Sequence, residues 1–309
     1  MPLRRRRRRR ARPPRQSAWI PLLVVAAVLV AVWFTVGYLK ERNAANSRAH
    51  KAHATARHGA VSVGAPSPPI PSRQVKGAPG ASPLASGPSP LPRVAIIIDD
   101  CGNDFERCNR FIQLPVPLTL AILPLTPHGR DIANAALAAG QSVMLHLPMQ
   151  PESDTHNPGP GAITTQMTDA QIAAQVEQDI ASLPPVPGGN NHMGSKGTSD
   201  PRVMRDVLAV FKRNNLFFID SETSNTSVGI QTAKSLGVPN AARDVFLDNE
   251  ISQKAIEEQL KAAQTVALKT GQAIAIGHPN PETADAIAKM IPEMIGAGVT
   301  FVPAKTLVK

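Results

Sequence analysis

From Arg93 to the C-terminus the chain alternates short apolar runs with segments of helical period, and this alternation limits its fold more than any other feature. Val94–Ile98 reads VAIII, a continuous β-branched run of the kind a strand buried on both faces requires. Leu118–Leu123, Ser142–Leu145, Leu216–Ile219, Ala241–Leu247, Gln272–Ile276 and Val299–Val302 repeat the signal. Helices are expected between them, over Asn103–Leu114, Gly129–Ala139, Thr168–Leu183, Asp200–Asn214, Ile230–Leu236, Ser252–Lys269 and Glu282–Ile295. Thr168 and Asp200 read as N-caps, Pro201 as a first helical residue and Gly140 as a C-cap. Strands and helices that alternate through short connections build a parallel sheet. The length from 93 to 309 suits one domain, a distorted (β/α) barrel of about seven parallel strands. A doubly wound open sheet is the alternative, weakened because the dinucleotide glycine fingerprint and the phosphate-loop motif are both missing.

The first 92 residues are of another kind. Residues 4–10 are seven consecutive arginines, followed by Arg12 and Arg15. Behind them Ser17–Leu39 runs 23 residues without a charge, long enough to span a hydrocarbon core of about 30 Å. Trp19, Trp33 and Tyr38 lie toward its ends, where amphipathic rings favour the interface. Residues 1–16 are therefore expected to stay in the cytoplasm and 17–39 to be an uncleaved, single-pass anchor in a bacterial-type inner membrane. A cleaved signal peptide has a shorter apolar stretch and a small-residue cleavage site. Residues 40–92 are rich in Pro, Ala, Ser and Gly, with nine prolines from Pro66 to Pro92, and read as a linker. Residues 93–309 then lie on the periplasmic side.

The charge balance agrees with this division. The net charge of +10 combines +15 over residues 1–92 with −5 over the rest. A mildly acidic domain with 4% aromatic residues has neither the basic face nor the aromatic interleaving of a nucleic-acid reader. The two cysteines, Cys101 and Cys108, exclude a disulfide-rich scaffold and a four-cysteine zinc site. An exported domain permits a disulfide between them; two free, partly buried thiols are the other reading.

Chemistry-bearing residues gather where the apolar runs end. Asp99 and Asp100 close the first run, His146 the third, Asp220 and Asp248 two later ones, and His278 follows AIG. The segment 188–196, GGNNHMGSK, is read as a loop carrying His192 just ahead of a helix. In parallel β/α folds the C-terminal rim of the strands is where active sites are built. An Asp with two His suits a divalent metal such as zinc, with an open coordination position. A second carboxylate beside it can take a proton from water, and a histidine opposite can give one to a leaving group. The pattern reads as metal-assisted hydrolysis; a serine hydrolase is disfavoured because no G-x-S-x-G elbow is present.

IIIDDCGND, MLHLPMQPE, NNHMGS, FFIDSET, VFLDN and AIGHP, in that order, resemble blocks of the divergent polysaccharide deacetylase family. The resemblance covers most of residues 93–309. It implies a carbohydrate esterase-like barrel, with Asp99 as general base, Asp100, His146 and His192 as metal ligands and His278 as general acid. Asp220 and Asp248 would orient ligands or the acid. The family's closely spaced histidine pair and its Arg-x-Pro-Tyr block have no counterpart here, which leaves Asn191 and Arg243 as candidate donors to the substrate. The implied partner is an acetylated envelope glycan, either a polysaccharide or a peptidoglycan-type sugar. The implied reaction is hydrolysis of its N- or O-acetyl group. A non-catalytic glycan-binding or envelope-assembly protein on the same fold is the alternative, and an amidase a third reading.

Overall fold

A computed structural model describes residues 91–309; the arginine block, the apolar anchor and all of the linker except Leu91 and Pro92 lie outside the described residues. No helix among the described residues is long and apolar enough to cross a membrane. In chain order the elements are β1 (Arg93–Cys101), α1 (Phe105–Ile112), β2 (Thr119–Ile122), α2 (Gly129–Ala138), β3 (Ser142–Met149), α3 (Asp169–Ala181), β4 (Gly188–Met193), α4 (Pro201–Arg213), β5 (Phe217–Asp220), α5 (Gly229–Leu236), β6 (Asn240–Ala242), β7 (Val245–Phe246), α6 (Gln253–Thr270), β8 (Gln272–Gly277), α7 (Pro281–Gly296) and β9 (Thr300–Phe301).

The strands form one parallel sheet in the order β6-β5-β4-β3-β2-β1-β8-β7, with β9 added to β1. β1 is central, and Val94–Ile98 is wholly buried because each face has its own core. Val94, Ile96 and Ile98 pack with the helices, while Ala95 and Ile97 join Met144, Ile219 and Ile276 on the inner face. This two-sided burial is why the run is apolar at every position and does not alternate.

The sheet curls without closing. β6 pairs only with β5 and β7 only with β8, so the chain crosses the gap at Arg243–Asp244. The Arg243 N–H still bonds Asp220 O (3.0 Å), whereas the Asp244 N–H has moved to Ile274 O (2.9 Å). The single strand expected over Ala241–Leu247 is therefore two short ones on opposite edges, which makes the fold a curled half-barrel. The C-terminus lies at this gap. Lys309 pairs with Asn240 through both backbone groups, and Ala304 and Leu307 fill the inner core.

The other correction is β4. GGNNHM has no strand propensity of its own, and 188–196 reads as a loop from sequence. It pairs on both sides nonetheless, with β3 and with β5. The glycines are required by packing. A Cβ on Gly188 would meet the Phe217 ring, and one on Gly189 would come within 2.6 Å of Leu145 O. Tertiary contacts override propensity here.

Local signals fix the helices. Thr168 and Gln171 form a reciprocal capping box on α3, and Asp200 accepts two backbone N–H groups ahead of Pro201 on α4. Gly140 (φ +80°) follows α2 and Gly271 (φ +89°) follows α6 in the left-handed conformation.

One core residue departs from these rules. Asp179 of α3 is fully buried; its Oδ1 accepts from Gln175 Nε2 (2.9 Å), its Oδ2 has no partner, and Gly161 packs against it. Burial pushes its carboxyl up to about 7. A carboxyl raised in the folded state stabilises fully below its unfolded pKa of about 4 and loses that stabilisation as pH rises toward 7. Asp179→Asn is expected to remove this slope and to gain up to about 4 kcal/mol above pH 8. Urea unfolding of both proteins from pH 4 to 9 checks it; parallel curves across that range would show that Asp179 does not titrate on unfolding.

Candidate metal and catalytic centre

Strand β1 delivers two acidic side chains to one place. Adjacent residues of a regular strand face opposite ways. Here the register with β2 shifts between Ile98 and Cys101, and Asp100 takes a left-handed backbone (φ +57°). This bulge turns Asp99 and Asp100 together toward His146 on β3: the His146 Nε2 lies 3.7 Å from Asp99 Oδ2 and 3.1 Å from Asp100 Oδ1. Leu125 after β2, Met193 at the end of β4 and Glu222 after β5 are also left-handed (φ +55°, +48° and +49°), so four positions on this rim hold non-glycine residues under strain.

The register of β3 against β4 sets the next residues. His146 lies opposite Asn190, and Pro148 opposite His192. Asn190 and His192 are two apart and share a face, which brings His192 Nδ1 to 2.7 Å from Asp100 Oδ1 and 3.2 Å from His146 Nε2. Asn191 faces the other way. Its amide N donates to Met193 O (2.8 Å) and its oxygen accepts the Ser221 N–H (2.9 Å), so it braces backbone and does not face the site.

Asn190 is the residue that sequence reading passed over. It is wholly buried, and its amide N donates to Asp99 Oδ1 (2.8 Å) and to Ser221 Oγ (3.1 Å). Its oxygen therefore faces His146 Nδ1 (2.8 Å), which must carry the hydrogen. The His146 Nε2 is left as a bare lone pair aimed at the Asp100 carboxylate and at His192. Three lone-pair donors, with edges of 2.7, 3.1 and 3.2 Å, face one another. A proton or a cation is needed between them. A divalent ion with bonds of about 2.1 Å separates tetrahedral ligands by roughly 3.4 Å, close to these edges. Asp100, His146 and His192 are also the one group of three or more His, Cys, Asp or Glu among the described residues whose ligand atoms converge in this way. The donor set fits zinc.

His278 approaches from the opposite side, at the end of β8. Asp248 Oδ1 accepts from its Nδ1 (2.9 Å), and Asp248 Oδ2 accepts from its backbone N–H (2.7 Å) and from Thr283 Oγ1 (2.9 Å). The Nε2 then faces the centre, 3.9 Å from Asp100 Oδ2. Phe246 meets the imidazole edge-on at 5.3 Å, and the Arg243 guanidinium lies over the Phe246 ring at 5.1 Å. Arg243 itself donates to Ser221 O (2.8 Å) and Glu222 O (3.1 Å), so it clamps the β5 rim loop and backs Phe246. Asp220 does not reach the three ligands; it accepts from the Glu222 N–H and the Ser227 hydroxyl and shapes the same loop.

The electrostatics follow from burial and contact. Burial raises the Asp99 carboxyl above the usual range, against the opposing pull of His146, His278 and Asn190. Burial acts the same way on Asp100, but hydrogen bonds to His146 and His192 outweigh it and hold that carboxyl well below the usual range. Burial disfavours the charged imidazole of His278; Asp248, then Asp100 and Asp99, more than compensate and raise it to about 9. Two adjacent carboxyls driven apart, with a cationic imidazole opposite, are the arrangement for base and acid roles at one centre. Beside it opens a cavity of about 390 Å³, with Asp100 and His192 at one wall and Leu125, Thr126, Asn157 and Pro158 among the others.

Asn190→Ala is expected to weaken zinc binding 10–100-fold, because it frees the ring of His146 and leaves Asp99 without a donor. Asn190→Asp should not rescue it, since a carboxylate cannot donate to Asp99. Titration against a chelating dye checks both; unchanged affinity in Asn190→Ala would remove the residue from the site.

Residues 96–308 match the family model described as divergent polysaccharide deacetylase. The Escherichia coli protein YibQ, called uncharacterized, is 33% identical over 233 residues, 74% of this chain and 69% of its own length. An uncharacterized protein from Haemophilus influenzae is 36% identical over 191 residues, 62% of this chain and 68% of its own. Among solved structures, that of an uncharacterized protein from Agrobacterium tumefaciens superposes with a TM-score of 0.69 at 24% identity, covering 72% of this chain and 91% of that one. That likeness is one of fold.

Proposed function

The chain belongs to the divergent polysaccharide deacetylase family, and from that premise we propose that it is a membrane-anchored, metal-dependent hydrolase that removes acetyl groups from an envelope glycan. The observation that carries the reading is the convergence of Asp100, His146 and His192 beside Asp99, with the Asp248–His278 pair opposite and a cavity opening at Asp100 and His192. Asp100, His146 and His192 would hold a divalent ion, zinc by their chemistry. Such an ion supplies Lewis acidity toward a carbonyl oxygen and lowers the pKa of water.

The remaining roles fall to side chains of this chain. Asp99, raised by burial and held in place by Asn190, takes the proton from the attacking water. His278, kept cationic by Asp248, gives its Nε2 proton to the departing sugar nitrogen or oxygen as the acetyl carbon–heteroatom bond breaks. Acetate and the free amine or alcohol are the products. The cavity presents no cation of its own to an acidic polymer, which favours a neutral or cationic glycan. The arginine-led apolar segment 17–39 would place this domain on the periplasmic side, facing the envelope.

The test is metal content and acetate release by the full chain in detergent, after zinc loading, on N-acetylglucosamine oligomers and on an O-acetylated glycan. One equivalent of zinc with acetate released from either substrate supports the reading. No bound metal after loading would replace it with a glycan-binding role, and zinc without acetate from either glycan would point to another hydrolase, such as an amidase.

A further inference from the structure

Of the four strained positions on the rim, Leu125 is the one that leaves a large apolar side chain exposed. At φ +55° its Cβ crowds the following carbonyl, and the residue is 41% exposed, so the fold gains little core burial in return. The turn that carries it is held from several sides. The Thr126 hydroxyl donates to Leu123 O (2.8 Å) and sits between Gly102 and Gly129, where a Cβ on either glycine would collide with it. The Leu123 N–H donates to Cys101 O (2.7 Å) and the His128 N–H to Gly102 O (2.9 Å). Pro124 and Pro127 fix the backbone on either side. Strain of this kind persists only where the surroundings over-determine it, and it gathers at ligand sites.

Leu125 lines the cavity of about 390 Å³ that opens beside Asp100 and His192. Ligand pockets run from roughly 300 to 1,000 Å³, so this one admits a single ring-sized group and exceeds what an acetyl group needs. Its walls are apolar at Leu125, Pro124, Pro127 and Pro158, and the prolines bring no N–H. Asn103 and Asn157 add amides, and the Gly159 N–H fixes the second of them through Asn157 Oδ1 (2.9 Å). An acyl chain would leave those amides without partners. A charged group would find only Asp100 and His192, which are turned to the ligand triangle. We infer that Leu125 is a substrate contact and that the cavity is the subsite for one hexopyranose unit of a neutral glycan. The C–H face of the ring packs on Leu125 and the prolines, and its hydroxyl and acetamido groups reach Asn103 and Asn157. The inference rests on the glycan part of the reading above and needs neither a metal nor turnover. It also accounts for the strain: glycine would relax the turn but lose the contact.

The full chain, in a detergent without a sugar headgroup and with a chelator present, is titrated with the tetramer of N-acetylglucosamine and followed by saturation-transfer NMR. Thermal melting is measured beside it. The unsubstituted protein should bind the tetramer, and Leu125→Gly and Leu125→Ala should each bind it about tenfold more weakly. Leu125→Gly should melt no lower than the unsubstituted protein, because glycine adopts φ +55° without strain. Both variants should keep the zinc affinity of the unsubstituted protein. No binding of the tetramer, or equal affinity in both variants, would overturn the inference. So would a Leu125→Gly midpoint lowered by several degrees, as for a core truncation, or loss of zinc in either variant. Binding is read without metal, so a chain that binds the tetramer but releases no acetate after zinc loading would remove the hydrolase reading and leave this subsite standing.

Discussion

Asp100→Asn is expected to weaken zinc binding at least about a thousandfold, on the order of 4 kcal/mol, and to abolish acetate release while the domain stays folded. The substitution isolates charge from shape. Asp100 sits at φ +57°, a conformation Asn tolerates better than most residues, whereas Ala would add strain of about 1 kcal/mol. The amide keeps an oxygen near His146 and His192 but loses the negative charge that both imidazoles face at 3.1 and 2.7 Å. Three neutral donors remain, and the site is left with no anionic ligand. His146→Ala removes a buried nitrogen from the same triangle and should reach the same endpoint, with an added stability cost because its neighbour Asn190 then loses a partner. Chelator competition gives the affinity and circular dichroism melting gives the fold. Stoichiometric zinc in both variants would show that the ion, if held, is held elsewhere.

Much of this centre can be read from sequence because polar residues are conspicuous at the ends of apolar runs. VAIII followed by two aspartates, and histidines after the SVML and AIG runs, need no partner to be noticed in a parallel β/α pattern. The neighbours of Asn190 explain what was missed. GGNNHM looks like a loop because its two glycines serve contacts with Phe217 and Leu145, which lie far off in sequence. Once it is a strand, the period of two assigns Asn190 and His192 to the site and Asn191 to the opposite face, the reverse of what adjacency suggests. The surroundings of Arg243 are hidden from sequence for a related reason. Residues 241–247 read as one strand, but the chain changes edges at 243–244, and only that crossing turns the guanidinium onto Phe246 and the β5 loop. Hydropathy reports which residues are buried; it does not report which two edges a segment joins.

His278→Gln is expected to keep its equivalent of zinc and to lose 10²–10⁴ in kcat, with KM little changed. The separation of metal from turnover follows from geometry. His278 Nε2 lies 3.9 Å from Asp100 Oδ2, outside the triangle formed by Asp100, His146 and His192, so its removal subtracts no ligand. What it subtracts is an acid. Asp248 holds the ring by Nδ1 and by the backbone of the same residue, and Thr283 fixes the second oxygen of that carboxylate. The pair is one device: the carboxylate stabilises the imidazolium and sets which nitrogen faces the substrate. Asp248→Asn should therefore lower kcat by a similar mechanism but less, because a tilted imidazole still carries a proton. The double variant should be no slower than His278→Gln alone, since residues that act as a unit are strongly non-additive. Loss of zinc in His278→Gln would instead make the histidine a ligand, and fully additive losses in the double variant would show that Asp248 acts on something other than His278.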